Sequence, residues 1–452
     1  MLPLVKSLLA VVGLIALVGL RTTPVHFYCK EEHPKFPDQR LCVFRNLLLV
    51  NGTVFFVSSK QQKINRLYVS WEKTYEGDNF MDIPVVHPGS LGADLWQRAE
   101  LVPQAGLFHQ QHPVNYYHLF TEVVPTMYYS LCLGLGVCTR TQTRDLRIFW
   151  INRSGATHPM GYVFHAPRAI YDLLECLTPH PVLNVQNVTD APLLLGTAIA
   201  GLPRRVRFYH QKREEWRARF EDPPPLDYMR RYRTLVSECL DLDLLGSKAP
   251  TDPIKITFIN RHYEAGRSVL NAETIKDQIL NLPTVRKLGR DRVQVNIVYL
   301  KGTLKEQASV VHDSSIYIWA HGAAMSHTFF LPKGAYAFEL VQWAVKDPAD
   351  QHVWVQGIRS AFGIDAHLDV ITNDDRTKVF FNYDVLRAPS SQYHRFNDTE
   401  KVQLLENLTC PDQPYANGGE CFGWFHWGMS LVLKFELLKP HVDAAIKQLA
   451  GL

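Results

Sequence analysis

Three short stretches of this chain combine residue types suited to acid–base catalysis or to holding an anion. The first is Asn115-Tyr116-Tyr117-His118-Leu119-Phe120-Thr121-Glu122, followed by Pro125. On a helix over 116–124, His118 and Glu122 stand four residues apart on one face, where the carboxylate can orient the imidazole and raise its basicity. That is a general base with a positioning partner, although an ordinary surface pair uses the same spacing. Asn115 has the chemistry of a helix N-cap. The second stretch is Ile259-Asn260-Arg261-His262, then Arg267-Ser268-Val269-Leu270-Asn271. Arg261 falls at the carboxyl end of a predicted strand and Arg267 in the loop before a predicted helix, where open α/β sheets bind ligands. Planar guanidinium groups match diphosphate oxygens, and a helix beginning near Ala272 adds backbone donors. Two solvated loop arginines would read the same way.

The third stretch runs His321-Gly322-Ala323-Ala324-Met325-Ser326-His327, Phe329-Phe330-Leu331-Pro332-Lys333-Gly334 and Phe338-Glu339-Leu340. Gly322 and the alanines permit close backbone approach at a strand end, and the helix expected after them offers its amino end to an anion. Glu339 closes the next strand, where a carboxylate suits a ribose diol or simply reaches solvent. Asp241-Leu242-Asp243 has the carboxylates for a metal, but Leu240, Leu242, Leu244 and Leu245 read it as a helix end packed on a core. His109 and His112 lack further clustered ligands for zinc, and neither a Gly-x-Ser-x-Gly elbow nor a P-loop occurs.

These groups need a scaffold, and the hydrophobic pattern predicts one. Residues 47–50, Asn51-Gly52 and 53–57 read as a hairpin. Strands at 147–151 and 193–199 flank a helix at 163–177, and a helix at 228–245 follows Asp222-Pro223-Pro224-Pro225. After a linker at 246–253, strands at 254–259, 293–299, 316–320 and 335–340 alternate with helices at 272–280 and 305–312. The expectation is an α/β protein with two Rossmann-like domains facing a central cleft: 22–245, then 254–452.

Composition sets the outer bounds. The chain has 452 residues, 46% of them hydrophobic and 20% charged, with a net charge of +4 spread without long single-sign runs. A nucleic-acid partner therefore has little electrostatic support. The apolar run at 7–20 follows Lys6; counted from Leu2 it gives 19 residues, about 28 Å of helix. The first 21 residues read as a signal anchor or a cleaved signal peptide. Sequons at Asn51, Asn152, Asn187, Asn397 and Asn407 and an even count of eight cysteines agree with a lumenal chain. Cys29 with Cys42 and Cys410 with Cys421 are the expected local bridges, while Cys132, Cys138, Cys176 and Cys239 read as buried thiols.

Asn115-x-x-His118 with Pro125, Arg261 with Arg267 and Asn271, Glu306-Gln307, and above all the segment from His321 to Glu339 resemble glycosyltransferase family 61. The resemblance covers roughly 115–340. It implies a GT-B architecture, a UDP-sugar donor carrying xylose or N-acetylglucosamine, inversion at the anomeric carbon, and no required metal or other cofactor. It implies a glycan or glycoprotein acceptor, and with the apolar N-terminal run a Golgi or endoplasmic reticulum location, lumenal behind a single type II anchor, or secretion if the N-terminal segment is cleaved. Carried over residue by residue, it sets the nucleotide-sugar against Arg261, Arg267, Asn271, His321, Gly322, Ala323 and Glu339. The acceptor side falls at Asn115, with His118 and Glu122 as catalytic residues. The sequence departs from the family at Ala324-Met325-Ser326, where a Gly-Leu-Thr type segment is usual. A catalytically silent, glycan-binding member of the same fold is the other reading; the aromatic tail Cys421-Phe422-Gly423-Trp424-Phe425-His426-Trp427 could stack on sugars.

Overall fold

The structure is a computed structural model and describes residues 27–30, 40–58, 64, 67–68, 80–91, 95, 98–109, 119–151, 168–188, 191–201, 226–246, 253–262, 267–342, 358–360, 362–373, 376–381, 399 and 429–452. The chain divides into two units that alternate along the sequence. The first draws on Met1–His112, Val123–Ser154 and Leu174–Val206, the second on Pro113–Glu122, Gly155–Leu173 and Arg207–Leu452.

In the first unit the strands are β1 (Phe27–Lys30), β2 (Leu41–Val50), β3 (Thr53–Val57), β4 (Leu67–Tyr68), β5 (Phe80–Met81), β6 (Val85–Val86), β7 (Glu100–His109), β8 (Leu146–Ile151), β9 (Leu183–Asn184) and β10 (Leu193–Ala200). All but β4 and β5 join one sheet in the order β6-β3-β2-β10-β7-β8-β9, with β1 added to β2. β10, β7, β8 and β9 are parallel, as an α/β layer requires. β2, however, runs antiparallel to both β3 and β10, so this sheet is mixed and departs from the expected Rossmann layout. The turn at Asn51-Gly52, with φ of 45° and 75°, joins β2 and β3 as an antiparallel hairpin, as the sequence pattern predicts. Helix α1 (Val124–Leu135) packs on β10 and β2, carries Pro125 in its first turn where the missing N–H costs nothing, and ends at Gly136 in the left-handed region.

Cys29 and Cys42 are register partners on β1 and β2 and form the expected disulfide. The thiols expected at Cys132, Cys138, Cys176 and Cys239 are a correction. Cys132 is bonded to Cys138 around the end of α1, and Cys176 and Cys239 are also disulfide-bonded. Apolar flanks had made them look like buried thiols, but a buried disulfide has the same apolar surroundings. Cys410 and Cys421 lie outside the described residues, as does the 1–21 segment. No helix among the described residues is long and apolar enough to cross a membrane.

Helix α2 (Arg168–Leu177) matches the later part of the helix expected at 163–177; 163–167 lie outside the described residues. Helix α3 (Leu226–Leu240), in the second unit, stops five residues before its predicted end. Asp241 turns into the left-handed region at φ 55°, and the Ser237 hydroxyl donates to the Leu242 carbonyl. Of the Asp-x-Asp pair, Asp243 Oδ1 accepts from the Gly246 N–H at 2.7 Å and Asp241 reaches Lys305 at 3.6 Å. The two carboxylates thus work separately.

The main sheet of this unit is fully parallel: β11 (Ile254–Ile259), β12 (Val293–Val298), β13 (Ile316–Ala320), β14 (Tyr336–Gln342) and β15 (His367–Asn373), in the order β12-β11-β13-β14-β15. Strand β13, Ile-Tyr-Ile-Trp-Ala, is buried on both faces, the pattern expected of a central parallel strand. On one face Ile256, Phe258, Ile316, Ile318, Ala320 and Leu340 pack against helix α4 (Ala272–Leu280) and a terminal helix (Phe435–Leu449). Alternation turns Tyr317, Trp319 and Glu339 to the opposite face. A short pair, β16 (Val379–Phe381) with β17 (Met429–Leu431), completes the strands.

Candidate functional site

The chain passes from β11 out to β12 and returns on the far side of β11 as β13. Connections leaving β11 and β13 in opposite directions open a crevice at their carboxyl ends, the ligand position of open α/β sheets. Arg261 lies two residues past β11, and Gly322 two residues past β13. Asn260, at the end of β11, closes the loop between its arginines. Its Oδ1 accepts from the N–H groups of Arg261 and Val269, both at 2.9 Å, and its Nδ2 donates to the Val269 carbonyl at 3.1 Å.

Both guanidinium groups press against Gly322. A Cβ on that residue would meet Arg267 Nη1 at 2.4 Å and Arg261 Nη2 at 3.1 Å, and its φ of 141° lies where side chains are strained. Arg267 Nη1 donates to the His321 carbonyl at a long 3.5 Å, while its buried Nε has no partner. Arg267 itself adopts φ 56°, a left-handed conformation that costs about 1–2 kcal/mol outside glycine. Burial lowers the Arg267 pKa well below its ordinary value, and the neighbouring Arg261 lowers it further. Burial also lowers that of Arg261, opposed by Tyr317. Arginine does not give up its proton in proteins, so these directions mean two like charges held close and incompletely solvated. Among the described residues neither has a carboxylate partner.

His321 is fixed at three points. Its N–H donates to Leu340, its carbonyl accepts from Arg267, and its ring Nδ1 lies 2.6 Å from Glu339 Oε1. A carboxylate only accepts, so Nδ1 carries the proton. Glu339 is 0% exposed and its Oε2 is sealed from solvent without a partner. In this structure the carboxylate is sealed from solvent and orients His321. Asn271 is tied to the backbone. Its Nδ2 donates to the Leu433 carbonyl and its Oδ1 accepts from the Leu433 N–H, both at 2.9 Å, so each amide atom makes one bond to the backbone.

After Gly322 the chain forms a 3₁₀ turn, Ala323–Phe330, in place of the expected α-helix. The Tyr317 hydroxyl donates to the Ala324 carbonyl and fastens the turn to β13. The first amides of such a turn, beginning at Ala323, have no acceptor within it. Phe329 and Phe330, both fully buried, lie edge-on to Phe120 at 5.1 and 5.3 Å, and Arg233 donates to the Phe329 and Leu331 carbonyls. Burial lowers the Arg233 pKa to about 10. The Phe-Phe-Leu-Pro motif is therefore the anchor of the turn. Phe120 follows His118 by two residues in sequence. Asn115 and His118 lie outside the described residues; Glu122 falls in a π-helical turn, Leu119–Val123.

Sequence reasoning missed His327 as a working residue. Buried within the turn, it donates from Nε2 to Gln307 Oε1 at 2.9 Å, which explains the Glu306-Gln307 pair: Glu306 closes a capping box with Thr303 and Gln307 holds the histidine. Burial lowers the His327 pKa from 6.5 to about 3, opposed by its backbone hydrogen bond with Ala324. Below pH 6.5 the unfolded chain takes up a proton that the fold refuses, so stability falls as pH drops from 6.5 towards 3. His327→Gln, which cannot titrate, is expected to flatten that part of a urea-denaturation profile measured against pH. An unchanged profile would remove the assignment.

This geometry defines a class, the α/β proteins that can hold an anion at the carboxyl edge of a parallel sheet. Within it, residues 116–338 match the model of the Glycosyltransferase 61 family, and the resemblance drawn from the motifs stands. The chain is also similar, at 34% identity over 103 residues, to an EGF domain-specific O-linked N-acetylglucosamine transferase of Xenopus laevis. That match covers 22% of this chain and 18% of the relative. Both findings support a glycosyltransferase.

Proposed function

We propose that this protein transfers a sugar from a UDP-sugar to a hydroxyl of a glycan or glycoprotein in the secretory pathway, with inversion at the anomeric carbon and without a metal. The observation that carries the reading is the pair of buried guanidinium groups against Gly322, two positive charges that a diphosphate would neutralise. In the reaction the acceptor oxygen loses its proton to a base and bonds to the anomeric carbon. The bond from that carbon to the β-phosphate oxygen breaks, and UDP leaves with its new charge on Arg261, Arg267 and the amides at Ala323. His118 is the proposed base and Glu122 its orienting partner, with Asn115 on the acceptor side. Glu339 acts through His321, which holds the Arg267 guanidinium by its carbonyl. A GT-B arrangement of domains 22–245 and 254–452 about the 246–253 linker, behind an N-terminal anchor or cleaved signal, completes the proposal. The disulfides support an oxidising compartment.

N-acetylglucosamine is the sugar named for the Xenopus relative, and xylose is the other donor the family implies. The test is thermal-shift binding and transfer with UDP-N-acetylglucosamine and UDP-xylose, each with and without a chelator. A shift with one donor, unchanged by chelation, is the expected result. No shift with any nucleotide would favour a silent, glycan-binding protein. His118→Ala is expected to lower kcat by about 10² to 10⁴-fold while leaving the UDP-induced shift intact. Near-normal turnover would exclude His118 as the base.

A further inference from the structure

Beside the arginines lies a pair of rings that the reaction above does not use. His262 and Tyr299 stack with centroids 4.4 Å apart and planes 18° from parallel. Tyr299 directly follows β12 and is 40% exposed; His262 comes three residues after β11 and is exposed. They meet because the pairing of β11 with β12 runs on past the strands, the Asn260 N–H donating to the Val298 carbonyl at 2.9 Å. Arg261 directly precedes His262 in the chain, and its guanidinium reaches Gly322, where an added Cβ would meet its Nη2 at 3.1 Å. Along the carboxyl edge of the sheet the order is then the Tyr299–His262 stack at β12 and β11, Arg261 at the end of β11, and Gly322 with Arg267 at β13. From β12 to β13 is two strand spacings, roughly 10 Å, a gap that a ribose bridges between a base and its diphosphate.

We propose that the Tyr299–His262 stack is the seat of the nucleobase of a nucleoside diphosphate whose phosphates lie on Arg261 and Arg267. This rests on the donor site proposed above and adds the part that recognises the nucleoside. A half-exposed ring already braced on one face by a second ring keeps its orientation without a ligand, so a base stacking on it meets little ordering cost. Stacking tolerates any base and contributes about 1–3 kcal/mol by alanine substitution, which is roughly 5- to 150-fold in affinity.

The experiment measures binding of UDP and of inorganic pyrophosphate by calorimetry to the wild-type chain, Tyr299→Ala, Tyr299→Phe and His262→Ala. Tyr299→Ala is expected to weaken UDP by roughly 5- to 150-fold and leave pyrophosphate within about twofold. Tyr299→Phe keeps the ring face and is expected to bind UDP like the wild type. His262→Ala removes the brace and should give a smaller loss for UDP alone. Equal UDP affinity in Tyr299→Ala and wild type overturns the seat, and so does an equal loss of both probes, which would mean a collapsed loop. If the wild type binds neither probe, the donor site itself fails and the seat with it.

Discussion

Arg267→Met is expected to raise the melting temperature of the ligand-free protein and to abolish its response to UDP. Arg267 and Arg261 are buried together against Gly322 with no carboxylate among the described residues, and Arg267 Nε has no acceptor. Replacing an uncompensated buried charge by an apolar chain of similar length removes a desolvation cost and a repulsion. A gain of about 1–2 kcal/mol, or a few degrees, is the expected scale. The same change removes the group best placed to meet the departing phosphate, and kcat/KM is expected to fall on the order of 10²- to 10³-fold. Calorimetric melting with and without UDP reads both effects at once. A lower melting temperature with the UDP shift retained would mean that Arg267 is a structural fastener.

Gly322→Ala carries the second large effect. Its methyl group would lie 2.4 Å from Arg267 Nη1 and 3.1 Å from Arg261 Nη2, and its φ of 141° adds strain of about 1–3 kcal/mol. The guanidinium groups must move, so UDP binding is expected to weaken at least about 100-fold, with a smaller loss of stability. Combining it with Arg267→Ala separates the two causes: removing the clash should restore part of the melting temperature but none of the binding. If Gly322→Ala binds UDP as tightly as the wild type, the cradle is not where the diphosphate sits.

The C-terminal sheet was readable in advance because its central strands are buried on both faces and its helices on one. Residues 254–259, 272–280 and 316–320 were placed to the residue, and Arg261, Arg267 and Gly322 converge as their positions at strand ends implied. In the N-terminal half the Asn51-Gly52 turn marks the β2–β3 hairpin, but the direction of β10 against β2 was not readable, since a largely buried run such as 41–50 looks the same parallel or antiparallel. The polar residues were harder still. Glu339 and Asn271 sit where a ligand contact is expected, yet one orients His321 and the other bonds the backbone of Leu433, 162 positions away. Only the folded chain shows which atoms a polar side chain has already spent. His327 and Gln307 were quoted for their pattern, but their hydrogen bond crosses from a helix to a 3₁₀ turn and leaves no periodic trace.

That tie between Asn271 and Leu433 has a consequence for biosynthesis. The Ser268 carbonyl accepts from the Leu431 N–H, the Leu270 N–H donates to the Leu431 carbonyl, and Asn271 bonds Leu433 in both directions. The loop that presents Arg267 is thus sewn to residues translated some 160 codons later, well after its own strand β11. Synthesis runs from the amino end, so the growing chain passes through a long interval with its sheet begun and the arginine loop unsecured. A nascent or prematurely terminated product lacking 429–433 would hold every residue of the arginine pair and still have no finished cradle. The arginine loop is secured only once residues 429–433 have been made.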